Sequence, residues 1–326
     1  MKKLLGILVL GLLLSGSAFS LNLDRVKSEF PKNRFENSII SLNEIISGGP
    51  PRDGIPPIDN PKFLKKNDKI GLEEPVIFLE INNEAKIYPI RVLTWHEIVN
   101  DEIGGVPVTV TFCPLCNASI VFDRRFDEEV LDFGTSGRLR NSDLIMYDRQ
   151  TETFWQQFTG QGLVGEYAGL KLKKIPSLII SYEEALRIIN EKGYQTQILK
   201  GPEVRPYGDN PYVGYDKSGF PFLYNGSLPK DINPMDYVIV VNDKAYSLTL
   251  IQKMKKLEID DIIITWQEGL NSALEDIKIS DGRDLGFVRV QRKENNQLID
   301  IIYDYTFAFV YHAFHEGKKI IQDPSP

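Results

Sequence analysis

Side chains that can bind a metal are scarce in this sequence. Among its 326 residues are two cysteines, three histidines and four methionines. Two cysteines cannot form a disulfide framework, and they exclude a zinc or iron–sulfur site built from four cysteines. A metal site in this chain would therefore need histidine, carboxylate, methionine or solvent to complete its ligand set.

Basic runs and long apolar runs are also missing after the first twenty residues. The formal net charge is −7 at pH 7, and an acidic chain without a basic run argues against nucleic acid as a partner. No later apolar run reaches the roughly 20 residues that span a bilayer. We therefore expect no nucleic-acid partner and no transmembrane segment, and the sequence identifies no other partner.

Residues 1–20 have the pattern of a secretory signal peptide. Lys2 and Lys3 precede the apolar core LLGILVLGLLL, and the small residues Ala18 and Ser20 stand at positions −3 and −1 of a cleavage site. Cleavage after Ser20 removes two lysines and changes the formal net charge from −7 to −9. We expect an exported protein, either periplasmic or secreted.

Strand signals outnumber helix signals, and this predicts a β-dominated α+β fold with short helices. Residues 21–70 are rich in proline and glycine and predict an extended N-terminal arm. Asn82-Asn83 between two apolar runs predicts a hairpin. The apolar period of IRVLTWHEIVND predicts a helix, and SYEEALRIINEKG, with Ser181 as its cap, predicts another.

The chain contains a weak internal repeat. VIFLEINNEAKIYPIRVL is echoed by YVIVVNDKAYSLTLI, and TFCPLCNAS is echoed by TWQEGLNSA. This predicts two duplicated β-rich halves, residues 71–177 and 233–326. A helix and a Tyr/Pro/Gly-rich loop over residues 178–232 would separate them.

The repeat also serves as an internal control on the candidate ligands. His96, Cys113 and Cys116 of the first half are aligned with Met254, Gln267 and Leu270 of the second. Residues needed only for packing would not be expected to change their chemical type together. The comparison therefore favours a chemical role for these three residues and assigns the site to the first half.

The two cysteines form a Cys-Pro-x-Cys motif flanked by strand signals, in VTVTFCPLCNASIVFDR. A turn between strands is typical of the knuckle that holds a metal in zinc ribbons, whereas a thioredoxin-like pair opens a helix. Asn117 suits the positive φ that such a knuckle requires after its second cysteine. A redox-active pair and a structural disulfide stay open, although closing so short a loop stabilises by only roughly 2 kcal/mol.

His96, in the predicted helix, is the leading third ligand for a metal held by Cys113 and Cys116. His315 in VYHAFHEG and the thioether of Met146 are further candidates. Two thiolates with a histidine suit zinc, whereas a thioether in an oxidising compartment would favour copper. For each of these three residues, a packing role in the core is the competing interpretation.

A second polar cluster lies in FGTSGRLRNSDLIMYDRQTETFWQQFTG. Its candidate members are Arg138, Asn141, Asp143, Asp148 and Trp155. They could line a substrate site, and either aspartate could orient His96 through its free ring nitrogen. The alternative is a solvated hairpin with side-chain-capped turns at Asn141 and Asp148. No phosphate loop, HExxH motif or Ser-His-Asp order is present, so the sequence indicates no nucleotide cofactor and identifies no enzyme class.

Three blocks of this chain resemble a known family. YPIRVLTWHEIVND, VPVTVTFCPLCNASIVFDR and the polar cluster quoted above are together similar to the bacterial and archaeal domain-of-unknown-function family 3179 (DUF3179). The similarity spans about residues 70–325, and the closing segment AFHEGKKI supports His315 over His312. The resemblance implies an exported protein and carries no agreed activity.

The function that these observations favour is the binding of one zinc or copper ion by Cys113, Cys116 and His96. One alternative is thiol–disulfide exchange by the cysteine pair, with His96 lowering the pKa of a thiolate. Another is a non-catalytic binding module that uses the Tyr-rich loop over residues 207–224 as its recognition surface.

Overall fold

The computed structural model describes residues 22–323, and the predicted signal peptide lies outside this range. The helices are α1 (Leu23–Glu29), α2 (Ile90–His96), α3 (Tyr182–Lys192), α4 (Leu248–Met254) and α5 (Ala308–Phe314). No helix of the described chain combines the length and the apolar character that crossing a bilayer requires.

Strands make up most of the regular structure. In chain order they are β1 (Ile46–Ser47), β2 (Lys62–Leu64), β3 (Pro75–Ile81), β4 (Glu84–Pro89), β5 (Ile98–Ile103), β6 (Val106–Cys113), β7 (Ala118–Asp123), β8 (Arg125–Phe126), β9 (Glu129–Val130), β10 (Phe133–Arg140), β11 (Asp143–Asp148), β12 (Phe154–Gln156), β13 (Gly162–Val164), β14 (Lys174–Ile175), β15 (Leu178–Ser181), β16 (Ile198–Lys200), β17 (Tyr237–Val241), β18 (Lys244–Ser247), β19 (Lys256–Ile259), β20 (Ile262–Gln267), β21 (Phe287–Glu294), β22 (Gln297–Asp300), β23 (Asp304–Phe307) and β24 (Ile320–Ile321). The predicted β-dominated α+β class is confirmed.

Five sheets of four or five strands are arranged as the blades of a propeller. They are sheet I (β15-β3-β4-β16-β2), sheet II (β14-β7-β6-β5), sheet III (β1-β10-β11-β12-β13), sheet IV (β23-β17-β18-β24) and sheet V (β19-β20-β21-β22). The propeller was not predicted, because the alternation of apolar residues identifies strands and not their partners.

Sheets I and IV share one strand topology. In each, a central antiparallel hairpin has an antiparallel strand on one side and a parallel strand on the other, and a helix joins those two outer strands. The central hairpins turn at Asn82-Asn83, as predicted, and at Asn242-Asp243, and all four residues have positive φ. Such turns match the twist of paired strands.

The predicted segment boundaries do not coincide with sheet boundaries. β15 and β16 of sheet I lie after residue 177, in the segment predicted to separate the two halves. The arm over residues 21–70 contributes β1 to sheet III and β2 to sheet I. Sheets are completed by strands that are distant in sequence, so composition along the chain does not mark their limits.

Helix α2 is shorter than the apolar period predicts. Glu97 has φ 58°, and its N–H donates to Leu93 O at 2.7 Å, which closes the last turn at His96. The following residues, Ile98–Ile103, form β5 and pair with β6. The prediction of a helix through Asp101 was therefore wrong, because a short apolar run fits a buried strand as well as one face of a helix.

Candidate functional site

The CPLC segment is a turn between two paired strands. β6 ends at Cys113 and β7 begins at Ala118, and these two residues are partners across the ladder. Cys116 N–H donates to Cys113 O at 3.2 Å, and Asn117 has φ 47°. The turn therefore holds both thiols at one end of sheet II, within the main hydrophobic core.

A carboxylate from sheet III lies beside the two thiols. Residues 141 and 142, both at positive φ, form the turn from β10 to β11, and Asp143 is the first residue of β11. One ligand atom each of Cys113, Cys116 and Asp143 lies within 4.8 Å of the others, and all three residues are buried. We call these three residues the Cys–Cys–Asp cluster.

The two carboxylate oxygens of Asp143 have different surroundings. Oδ2 accepts hydrogen bonds from Gln156 Nε2 at 2.6 Å and from Phe158 N–H at 2.9 Å. Oδ1 is buried and has no nitrogen or oxygen donor among the described residues, and the two thiols are weak donors to this carboxylate. An unpaired buried polar atom costs about 1–3 kcal/mol. Oδ1 is therefore an oxygen available to a ligand.

Burial raises the pKa of each acidic group around the cluster. It raises the pKa of Asp143 to about 6 and, together with the charge of Asp143, that of the neighbouring Glu97 to about 8. Burial also raises the pKa of the Cys113 thiol, and raises that of Cys116 well above its usual value. Burial is the largest cause of each of these shifts, and it favours the uncharged forms of the thiols and carboxyls.

Comparison with known proteins gives a family and no activity. A family model described as a protein of unknown function (DUF3179) matches residues 52–318. The chain belongs to the DUF3179 family. No curated protein and no solved structure matches it. The resemblance seen in the sequence is thereby confirmed, and the match begins within the predicted arm.

In this DUF3179 protein the imidazole of His96 is not a member of the Cys–Cys–Asp cluster. Its Nδ1 is hydrogen-bonded to Pro56 O and its Nε2 to Tyr207 Oη, both at 2.7 Å. Burial lowers the pKa of the ring. Both nitrogens of the predicted third ligand are thus engaged by protein groups, and the side chain beside the thiols is Asp143.

His315 and Met146 also lie elsewhere. The ring of His315 stacks on Tyr311 with centroids 4.5 Å apart, and its Nε2 is 3.5 Å from Asp243 Oδ1. Met146 is fully buried in the main core, three residues from Asp143 along β11. Since side chains alternate along a strand, those two residues face opposite sides of sheet III.

Arg138, Asp148 and Trp155 of the predicted second cluster have structural partners, and Asn141 forms part of the β10–β11 turn. Arg138 Nη2 donates to Glu29 Oε2 at 2.6 Å and so connects β10 with α1. The carboxylate of Asp148 accepts from Trp155 Nε1 at 2.8 Å and from Thr151 N–H at 2.6 Å, which caps the turn after β11. Of that cluster, the structure brings only Asp143 to the thiols. The sequence predicts for Asp143, or for Asp148, a place in a substrate site or the role of orienting His96.

Proposed function

We propose that this protein binds one metal ion through Cys113 Sγ, Cys116 Sγ and Asp143 Oδ1, with the CPLC turn acting as a knuckle. The observation that carries the proposal is a buried carboxylate beside two thiols, one oxygen of which has no nitrogen or oxygen donor among the described residues. Cysteine sulfur and carboxylate oxygen are both ligands of zinc. Zinc is therefore the metal that we propose first.

The residues around the cluster would define the geometry of the ligands. Gln156 Nε2 and Phe158 N–H hold Oδ2 of Asp143 and thereby fix the carboxylate beside the thiols, with Oδ1 left for a ligand. Three protein ligands leave one position for water or a substrate, as in catalytic zinc sites. A bound zinc ion would supply the positive charge that allows both thiols to ionise. Copper is the second choice, because the Met146 thioether faces away from Asp143.

Thiol–disulfide exchange is the alternative function, and the adjacency of the two thiols supports it. A reactive cysteine, however, has a lowered pKa and lies at a helix N-terminus or beside a cation. Here burial raises the pKa of both thiols, and the pair lies in a turn between strands. The chemistry of the surroundings therefore supports metal binding over redox exchange.

Two expectations about the whole chain accompany this proposal. We propose that residues 1–20 export the protein, and that the two halves arose by duplication. The shared topology of sheets I and IV and their matching turn residues support the second of these. A recognition role of the loop over residues 207–224 stays a prediction.

Elemental mass spectrometry tests the metal site. We expect about one equivalent of zinc in protein purified without chelator or immobilised nickel, with both thiols protected from oxidation. Asp143→Asn should abolish metal binding, because it removes the anionic ligand at nearly constant shape. Asp148→Asn is the matched control: it changes a buried aspartate of the same strand that lies outside the cluster, and it should retain the metal.

The addition of zinc or copper to the metal-free protein is the decisive test. If metal-free, reduced wild-type protein takes up neither zinc nor copper, the proposal is wrong. A disulfide between Cys113 and Cys116 that is readily reduced and reoxidised in the same preparation would then favour the redox alternative.

A further inference from the structure

A segment without helix or strand is hydrogen-bonded to the turns that carry the Cys–Cys–Asp cluster. Residues 218–233, here called the lid segment, precede β17. The residues just before it are hydrogen-bonded to the connection between β20 and β21 of sheet V. Gly214 N–H donates to Glu275 O at 2.7 Å, and Tyr215 N–H donates to Leu274 O at 3.0 Å. The lid segment therefore starts from a firmly held point.

Phe222 of the lid segment is connected with both turns that carry the proposed ligands. Ser142 Oγ, in the turn before Asp143, donates to Phe222 O at 2.5 Å. Phe222 N–H donates to Tyr215 Oη at 3.2 Å, and Tyr215 Oη donates to Leu115 O, between the two cysteines, at 3.0 Å. A single residue of the lid segment thus connects the β10–β11 turn of sheet III, directly, with the CPLC turn of sheet II, through Tyr215.

Tyr224 and Leu228 of the lid segment pack against the main core, but the part around Phe222 is sparsely attached. The side chains of Phe220 and Phe222 are 73% and 47% exposed. Its further polar contact near the middle, Ser227 Oγ with His312 Nε2 at 3.0 Å, is on the surface. Segments with few buried contacts and exposed hydrogen bonds open at a small fraction of the free energy of global unfolding.

We infer that the lid segment opens locally, by breaking the Ser142–Phe222 hydrogen bond, and that this opening admits solvent and metal to the buried thiols. The identity of the metal rests on the proposed function, whereas the opening is a property of the fold. A closed lid segment keeps water from the ligand atoms, and this would make the entry and release of the metal slow.

The reaction of DTNB with the metal-free, reduced protein measures the opening without any metal. Ser142→Ala removes the hydrogen bond to Phe222 O and should increase the reaction rate about tenfold. Tyr215→Phe removes the hydroxyl that links Phe222 with Leu115 and should act in the same direction. Two matched controls, Ser218→Ala and Tyr224→Phe, remove only hydrogen bonds made within the lid segment and should leave the rate unchanged.

Urea below the unfolding transition separates local opening from global unfolding. We expect the rate to be independent of urea in this range, since local opening exposes little surface, whereas reaction through the unfolded state accelerates steeply with urea. Equal rates in the wild type and Ser142→Ala, or a steep urea dependence in both, would overturn the inference.

The rate of zinc uptake then tells the two proposals apart. If Ser142→Ala accelerates the DTNB reaction but no variant binds zinc, the lid inference stands and the metal site fails. If zinc binds with the same uptake rate in the wild type and Ser142→Ala, the metal site stands and the lid inference is overturned.

Discussion

The turns that follow α2 and α4 have the same backbone conformation, but one carries an acidic side chain and the other a basic one. Glu97 and Lys255 have φ 58° and 60° with ψ −31°, and each N–H bonds the carbonyl four residues earlier. Glu97 O accepts from Phe112 N–H of β6 at 2.8 Å, and Lys255 O accepts from Trp266 N–H of β20 at 2.9 Å. Glu97 is buried beside the cluster, whereas Lys255 is exposed, with its ammonium 3.4 Å from the centroid of the Trp266 ring.

The strands that follow these turns diverge further. β6 and β7 are joined by the CPLC turn, but the corresponding β20 and β21 are separated by residues 268–286. Gln267, aligned with Cys113, is exposed, and Leu270, aligned with Cys116, is 2% exposed and packs in the core. The shared backbone therefore serves the fold, and the tight turn with its thiols is particular to the first region.

The largest expected effect is on metal content. Cys116→Ala should remove bound zinc completely, because the remaining thiol and carboxylate cannot complete the ligand set. Leu270→Ala, at the aligned position, should leave the zinc content of the folded protein unchanged. Elemental mass spectrometry on both variants checks this difference, and retention of zinc by Cys116→Ala would remove that residue from the site.

The free energy of unfolding should change more in Leu270→Ala than in Cys116→Ala, the reverse of the order expected for metal content. Leu270→Ala should lower the free energy of unfolding by about 3 kcal/mol, since it leaves a cavity in the core. Cys116→Ala removes only a sulfur atom, and in the metal-free protein it should cost about 1 kcal/mol. Urea unfolding of both metal-free variants measures the difference. Equal losses would show that the thiol at position 116 is as important for packing as the leucine at 270.

Glu97 and Lys255 should differ in the pH dependence of stability. The pKa of Glu97 is raised to about 8 in the folded, metal-free protein, so its folded state holds a proton that the unfolded state releases above about pH 4.5. Its contribution to stability is therefore complete below that pH and is lost as the pH rises towards 8. Glu97→Gln should stabilise the metal-free protein by about 4 kcal/mol at pH 8 and have little effect at pH 4.5.

Lys255→Gln is the control for that comparison. It removes a cation from the face of Trp266 and should cost about 0.5–1 kcal/mol, with no change between pH 4.5 and 8. Chemical unfolding at the two pH values compares both variants. A Glu97→Gln effect that is independent of pH would mean that this carboxyl titrates normally in the folded protein.

The smallest effect is expected at His96 and its aligned residue Met254. His96→Gln disrupts the hydrogen bonds to Pro56 and Tyr207 and should cost about 1 kcal/mol, while zinc is retained. Met254 is exposed, and Met254→Gln should change stability by less than about 0.5 kcal/mol. Loss of zinc in His96→Gln would make the imidazole a ligand after all, and elemental mass spectrometry decides this.

Local signals in the sequence were sufficient for several parts of this structure. The Asn82-Asn83 hairpin, the helix capped by Ser181 and the positive φ of Asn117 each depend on a few neighbouring residues. The position of both cysteines in one turn between strands depends on residues 108–124 alone. Such features could be predicted, because turn and cap preferences act over short distances in the chain.

The third member of the cluster could be established only by the tertiary structure. Asp143 follows an Asn-Ser turn, and in sequence it cannot be told from an aspartate that caps its own turn, as Asp148 does. It meets the thiols because the β10–β11 turn of sheet III packs against the CPLC turn of sheet II. Likewise, the apolar stripe on which His96 lies indicates that the ring is buried, but it does not identify the partners of that ring. The sequence alone determined that both cysteines lie in one turn between strands, because that turn depends on neighbouring residues. The packing of sheets distant along the chain decided that Asp143 lies beside them and that His96 does not.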